Sequence, residues 1–193
     1  MELIKGIIFF ITVFLCTIWS ISIGNYLLGN NKYLNFSIPF FPKTMLDGDT
    51  IHVIGIEKYQ KDYLLITKKF IEKTYKVPVV VDEPIQLEDR FKINDSILAS
   101  KTLNYLESKR NTILITSNEC IKSASDERVG GLASLYDNIL IAKTYKNIHS
   151  FLRVLRHEIG HCQGLKHCDD NSCFMSNNRK DSEVYHFCEK CRN

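Results

Sequence analysis

A chain of 193 residues, with 45% hydrophobic and 11% aromatic residues, is long enough to bury one core and too short for two large domains. Its 25 basic and 22 acidic residues leave a formal net charge of +3, and both signs are scattered along the sequence. The sequence lacks a concentrated basic stripe of the kind that follows a phosphate backbone. Composition therefore predicts one globular domain and argues against nucleic acid as a partner.

The first 24 residues differ from the rest, because the stretch from Gly6 to Gly24 is apolar and carries no charge. With a rise of about 1.5 Å per residue, such a helix is just long enough to cross a hydrocarbon core of about 30 Å. We expect residues 1–24 to be a hydrophobic signal or membrane anchor, and residues 25–49 to be a tether. This predicts the membrane as a partner and a membrane-anchored or exported protein, with a cytoplasmic location as the alternative.

Strand and helix patterns alternate after the tether. A run of β-branched and apolar residues predicts a first strand within residues 50–59, and helical spacing predicts a helix from Asp62, its candidate N-cap. The alternation continues with a strand, a helix and a strand at residues 77–85, 95–110 and 111–121. This β-α-β-α-β order predicts a largely parallel sheet with right-handed crossovers. Two shorter strands follow, in which Gly130 and Gly131 favour an edge or a bulge, at residues 129–137 and 138–145.

The clearest chemical signal is HEIGHCQGLKH, which begins at His157 and has the spacing HExxHxxGxxH. It ends a predicted helix whose apolar stripe consists of Ile148, Leu152, Leu155 and Ile159. His157 and His161 are four residues apart, so both imidazoles project from one side of the helix and can bind one Zn²⁺. Gly164 is expected to end the helix in a left-handed conformation, which allows His167 to supply the third ligand.

Three protein ligands would leave one position on the zinc for a water molecule. Glu158 follows the first ligand directly, so its carboxylate can reach that water rather than the metal. The arrangement predicts that Glu158 acts as the general base on a metal-activated water.

Four of the seven cysteines form a CxxxxC pair and a CxxC pair near the C terminus, and these are Cys168, Cys173, Cys188 and Cys191. Four thiolates can close a structural zinc tetrahedron at about 2.3 Å per bond and stabilise a tail with few apolar residues. Two disulfides, or a redox CxxC at Cys188 and Cys191, are the alternative interpretations. The zinc interpretation gives two Zn²⁺ ions per chain, one catalytic and one structural.

The extended histidine motif, followed by Met175, resembles that of the metzincin zinc peptidases. A cysteine directly after the third histidine, then CxxxxCxM and a closing CxxC, is similar to the archaemetzincin family. The resemblance implies an α/β, metzincin-like zincin fold with a mixed, mostly parallel sheet, backing helices, an active-site helix and a small zinc-stapled C-terminal subdomain. It places a metallopeptidase domain at residues 50–193, divided into subdomains at 50–164 and 165–193.

The same resemblance implies the roles of the site residues. It puts a catalytic zinc on His157, His161 and His167, a general base at Glu158 and a Met-turn at Met175. It also implies a structural zinc on the four paired cysteines.

These features predict a zinc metallopeptidase that hydrolyses peptide bonds in a peptide or protein substrate. We expect the substrate to add to the strand edge at Gly131, Leu132 and Ala133, and metzincins bind peptides along such an edge. A catalytically silent zinc-binding interaction module is the alternative, since it would keep the metal ligands without needing Glu158. A thiol oxidoreductase would instead require reactive cysteines of low pKa.

Overall fold

Strands in two sheets build the scaffold of the described part of the chain. The computed structural model describes residues 50–106, 111–117, 121–134, 138–176 and 186–192, which all belong to one compact unit, Pro39–Asn193. In chain order, the strands are β1 (Ile51–Gly55), β2 (Val79–Val81), β3 (Lys92–Ile93), β4 (Ser96–Leu98), β5 (Thr112–Thr116), β6 (Ile121–Lys122), β7 (Arg128–Val129), β8 (Gly131–Ser134) and β9 (Ile139–Lys143). The α-helices are α1 (Lys61–Tyr75), α2 (Ala99–Tyr105), α3 (Ile148–Cys162) and α4 (Glu189–Arg192).

The main sheet has the strand order β2-β1-β5-β9-β8. Pairing is parallel from β2 through β1 and β5 to β9, and β8 pairs antiparallel with β9. Every residue of β5 is buried, as expected for a parallel strand with helices on both faces of the sheet. The predicted α/β class and the predicted mostly parallel sheet are therefore confirmed.

Helices cover this sheet and position its edge. Helix α1 packs against β1 and β2, whereas α3 packs against β8 and β9. Asp62 was expected to cap α1, but the N-cap is Gln60, whose side chain makes no capping hydrogen bond. The helix begins at Lys61, so Asp62 lies inside the first turn, where a carboxylate still favours the positive end of the helix dipole.

A second sheet, in the order β3-β4-β6-β7, was not predicted. The prediction of one helix over residues 95–110 was wrong at its start, because Ser96–Leu98 forms strand β4. Ile97 is completely buried and pairs with Lys92 on one side and Ile121 on the other. Strand pairing and burial of this side chain outweigh the helical spacing of the apolar residues.

The predicted membrane location requires a correction. In the part of the chain that the structure describes, no helix is both long enough and apolar enough to cross a bilayer. The prediction of a membrane-anchored or exported protein with a membrane partner is therefore not supported. The anchor at residues 1–24, on which it depended, and the tether at residues 25–49 both lie outside the described residues.

Candidate active site

Helix α3 carries the histidine motif, and both of its ends are fixed by local hydrogen bonds. At its start the Asn147 side chain accepts a hydrogen bond of 2.8 Å from the backbone N–H of His149. At its end Gly164 has φ of +84°, as the sequence predicted. The N–H of Leu165 donates to the carbonyl of Gly160 at 3.0 Å, and that of Gly164 donates to His161 at 2.9 Å. This Schellman motif reverses the chain directly after the helix.

The chain reversal brings the three predicted histidine ligands together. The Nε2 atom of His161 lies 3.1 Å from Nε2 of His157 and 3.1 Å from Nε2 of His167. Two nitrogens bound to one tetrahedral Zn²⁺ at about 2.0 to 2.1 Å would be about 3.3 Å apart. His157 is buried, His161 is half-buried and His167 is exposed, so the group opens to solvent on the side of His167.

Backbone carbonyls orient two of these rings. Nδ1 of His157 lies 2.7 Å from the carbonyl oxygen of Phe174, and Nδ1 of His161 lies 2.8 Å from that of Leu165. A carbonyl can only accept, so each Nδ1 carries the proton and donates it, which leaves the Nε2 lone pair free to bind a metal. The donor chemistry of this group therefore fits a zinc ion. The sequence motif did not reveal the two carbonyls.

Glu158 lies beneath strand β8 and is only 4% exposed. A Cβ atom at position 131 would lie 2.7 Å from Glu158 Cγ, 2.8 Å from Oε1 and 2.9 Å from the carbonyl oxygen of Ile141. These distances are too short for any side chain at Gly131. Gly131 was predicted from sequence only as a substrate contact, and the structure shows that it also makes room for the Glu158 carboxylate.

Strand β8 carries the three predicted substrate-binding residues at the end of the main sheet's strand order. Gly131, Leu132 and Ala133 face Ala142, Ile141 and Leu140 of β9, respectively. The side chain of Leu132 packs against a hydrophobic cluster on one face of the sheet, and by alternation Gly131 and Ala133 face the other way. Among the described residues, β8 is the outermost strand on this side of the sheet.

Met175 is completely buried against helix α3. Its Sδ atom occupies the space that a Cβ atom at Gly160 would need, so the glycine between His157 and His161 allows the methionine to approach the helix. The carbonyl of Met175 accepts a hydrogen bond of 2.9 Å from the N–H of Cys168. The predicted Met-turn residue is therefore in contact with the helix that carries the histidines.

The four paired cysteines form a second group that can hold a metal ion, with their sulfur atoms within 4.8 Å of one another. All four are free thiols, and the Sγ atoms of Cys168 and Cys188 are 3.5 Å apart. The edge of a ZnS₄ tetrahedron with bonds of about 2.3 Å measures about 3.8 Å. Burial raises the pKa of Cys173, while hydrogen bonds of 3.4 Å to its Sγ from the N–H groups of Met175 and Cys188 act in the opposite direction. The donor set fits zinc rather than the two disulfides considered above.

Comparison with known proteins identifies the family. The family model described as matrixin, Peptidase M10, matches residues 40–188. The chain belongs to the matrixin family. The prediction of a zinc metallopeptidase of the metzincin type is therefore confirmed. A search of curated proteins finds no match for this sequence.

Two solved structures resemble the fold of this matrixin. One is archaemetzincin from Archaeoglobus fulgidus, solved in complex with malonate, with a TM-score of 0.64 and 20% sequence identity over 74% of this chain and 98% of that chain. The other is a zinc-dependent peptidase from Methanocorpusculum labreanum, with a TM-score of 0.56 and 23% identity over 74% of this chain and 97% of that chain. The predicted archaemetzincin-like fold is confirmed by these similarities.

One further residue packs beside the three histidines of this matrixin and was missed from the sequence. Arg156 precedes His157 and is 5% exposed, with its guanidinium 5.0 Å from the ring centroids of both Phe70 and Phe174. Burial lowers the pKa of Arg156, while the nearby Tyr75 acts in the opposite direction. Because Phe174 also supplies the carbonyl that orients His157, Arg156 helps to hold this turn against α1 and α3. An arginine among apolar residues directly before a metal ligand was the available sequence signal.

Proposed function

We propose that this matrixin hydrolyses peptide bonds at the site formed by His157, His161 and His167, with Glu158 as the general base. The observation that carries the proposal is the convergence of three histidine ligand atoms, together with the buried carboxylate of Glu158, the residue after His157, against the sheet edge at Gly131. A silent zinc module would need the histidines, but it would not need the space that Gly131 provides for Glu158.

The histidines, Glu158 and Gly131 each have a separate role in the proposed hydrolysis. His157, His161 and His167 would hold the zinc, which supplies Lewis acidity and makes a water nucleophilic near neutral pH. The carboxylate of Glu158 would accept the proton of the attacking water and then deliver it to the nitrogen of the leaving amine. Gly131 and β8 hold this carboxylate in place, and burial excludes bulk water from its inner side.

The substrate backbone would lie along the outer edge of β8, opposite β9. An extended peptide can add there as a further strand, with main-chain hydrogen bonds to Gly131 and Ala133, between which Leu132 pairs with Ile141 of β9. Main-chain hydrogen bonds do not distinguish one substrate side chain from another. A preference for particular substrate side chains must therefore come from the surfaces beside the strand.

A test of this function compares the full chain with its His161→Ala variant. His161 has the central Nε2 of the three, so its loss is expected to abolish both zinc binding at this site and peptide hydrolysis. Zinc content and cleavage of casein peptides would be measured on the same samples. Equal hydrolysis by the variant would contradict the proposal.

We further propose that Cys168, Cys173, Cys188 and Cys191 hold a second, structural zinc. Isolated strand bridges join Cys168 to Ser176 and Cys173 to His186. A zinc ion bound to the four thiols would also connect the segment at residues 165–176 to the C-terminal helix α4, which contains Cys191. The carbonyl of Phe174 that orients His157 lies in this segment. Residues 165–193 would thus form a small subdomain that supports the metal centre on the preceding residues 50–164.

Cys173→Ser is expected to remove this second zinc and to lower the free energy of unfolding by about 4 kcal/mol, because the metal replaces a core that the segment lacks. Zinc content by mass spectrometry should fall from two ions per chain to one, and denaturant unfolding should report the loss of stability. Cys162→Ala is the matched control, because Cys162 is a buried cysteine outside the group. If Cys173→Ser retained two zinc ions, the assignment would be wrong.

Zinc binding to the four thiols is expected to release protons at neutral pH. Burial raises the pKa of Cys173 and of Cys191. At Cys188, burial also acts to raise the pKa, but hydrogen bonds from the neighbouring thiols outweigh it and lower the pKa. Thiols with raised pKa values are protonated at pH 7 and must lose their protons to bind zinc, so zinc affinity should fall as the pH falls. Zinc titration in weakly buffered indicator solution would detect the release, and pH-independent affinity would contradict it.

A further inference from the structure

We propose that a basic pocket beside β8 binds a carboxylate of the peptide substrate on the C-terminal side of the cleaved bond. This inference rests on the proposed peptidase function and names the class of substrate. The basic pocket is a cavity of about 540 Å³ whose lining includes Arg128, Lys143 and Lys146 and, among the residues that the structure describes, contains no aspartate or glutamate. Such a lining attracts an anionic group.

The basic pocket lies where the parallel strands β5 and β9 end. Lys143 is the last residue of β9, and Ser117 directly follows β5. Tyr145 forms part of the pocket wall, and its backbone carbonyl accepts a hydrogen bond from the Tyr63 hydroxyl. The centroid of its ring lies 5.6 Å from Nζ of Lys143. Thr144 also lines the pocket and adds a hydroxyl to the cations, whereas the Ser117 hydroxyl donates to the backbone carbonyl of Lys58 at 2.8 Å. A guanidinium with a neighbouring hydroxyl suits a carboxylate.

The chain at the beginning of strand β8 lies close both to the wall of the basic pocket and to Glu158. A Cβ atom at Gly130 would lie 2.5 Å from the hydroxyl oxygen of Tyr145, whereas one at Gly131 would contact Glu158. Gly130, which directly precedes β8, therefore lies against the pocket wall, and Gly131, the first residue of β8, lies against the proposed base. Arg128 precedes Gly131 by three residues, and the chain bends at Gly130 between them, so the two are separated by at most about 10 Å.

The direction of the substrate follows from strand pairing. Antiparallel pairing is slightly more stable per residue than parallel pairing, so a peptide on the outer edge of β8 is expected to run opposite to it. The C-terminal part of the peptide then extends toward Gly130 and the basic pocket. The bound carboxylate would come from a residue no more than about three positions after the cleaved bond, either as an Asp or Glu side chain or as the peptide's own C terminus.

Binding to the full-length, zinc-loaded Glu158→Gln variant tests the pocket without requiring catalysis. A short neutral peptide with both ends blocked is compared, by fluorescence anisotropy, with versions carrying Glu at each position in turn and with a version ending in a free carboxylate. We expect Glu at one position toward the C-terminal end to tighten binding about tenfold over the neutral peptide. Comparing the side-chain and terminal carboxylates shows which source the pocket prefers.

The pocket variant combines Arg128→Gln with Lys146→Gln, both of which replace exposed side chains. It should abolish the affinity difference between acidic and neutral peptides. The control combines Lys69→Gln with Lys101→Gln, which removes the same charge from exposed positions on α1 and α2 and should preserve the difference. Equal affinity for all peptides, unmeasurable binding of every peptide, or an acidic preference that survives in the pocket variant would each overturn the proposal.

The two proposals can fail separately in these experiments. If the parent chain cleaves peptides but shows no acidic preference in binding, the peptidase function stands and the pocket assignment is wrong. If the acidic preference appears and depends on Arg128 and Lys146 while no peptide is cleaved, the pocket assignment stands and the peptidase function is wrong.

Discussion

Glu158→Gln is expected to lower kcat for peptide hydrolysis by about 10³-fold while both proposed metal sites keep their zinc. A glutamine has nearly the same shape as the glutamate but cannot accept the proton of the attacking water, and general base catalysis contributes about 10²- to 10⁴-fold. Glu158 is not one of the metal-binding groups in the structure, so its replacement should leave the zinc content unchanged. Peptide cleavage and zinc content would be measured on the same preparation.

The matched control for this variant is Glu72→Gln, which makes the same chemical change on α1, where Glu72 pairs with Lys68 at the surface. It is expected to keep the parent's kcat, because exposed ion pairs contribute about 1 kcal/mol or less to stability. A Glu158→Gln variant that retained parental activity would exclude Glu158 as the base. Loss of zinc together with activity would assign Glu158 a role in metal binding instead.

Gly131→Ala is expected to lower kcat by about 10²-fold with little change in zinc content, since displacement of a catalytic group by about 1 Å can have this effect. The added Cβ would collide with Cγ and Oε1 of Glu158 and with the backbone carbonyl of Ile141. The carbonyl is fixed by the pairing of β8 with β9, so the Glu158 side chain must move. The measurement is kcat per zinc-loaded chain.

Gly55→Ala provides the control for Gly131→Ala. A Cβ atom at Gly55 in β1 would lie 2.6 Å from the Tyr59 ring, which is an equally close collision without contact to Glu158. This control should lower the melting temperature and leave kcat per folded, zinc-loaded chain unchanged. Equal losses of kcat in the two glycine variants would show that Gly131 acts only through stability.

The histidine and cysteine groups were the part of the molecule most accessible to prediction from sequence. The spacing of His157, His161 and His167 brings their imidazoles together only if a helix carries the first two and the chain reverses at Gly164. The structure shows this helix and this reversal. The cysteine pairs likewise converge in space. The histidine motif and each cysteine pair are local patterns, so the covalent connection of the chain already restricts their geometry, whereas Cys168 and Cys188 meet across 20 residues of sequence.

Contacts between distant segments were not accessible in the same way. The Phe174 carbonyl reaches His157 across 17 residues of sequence, and Gly131 meets Glu158 only because β8 lies beside α3. Ile97 had helical spacing but forms a strand, because its pairing partners Lys92 and Ile121 belong to separate strands. Such tertiary contacts override local propensity, and no pattern within one segment encodes them.

The most direct test of the central claim is digestion of a diverse peptide library by the full-length chain, followed by mass spectrometry of the products. The same zinc-loaded preparation would be assayed as prepared, after chelation, and after zinc is restored. Our account predicts new peptide termini with zinc, their loss on chelation and their return when zinc is added back. A preparation with both metal sites filled that generates no new termini would contradict the assignment of this matrixin as a peptidase.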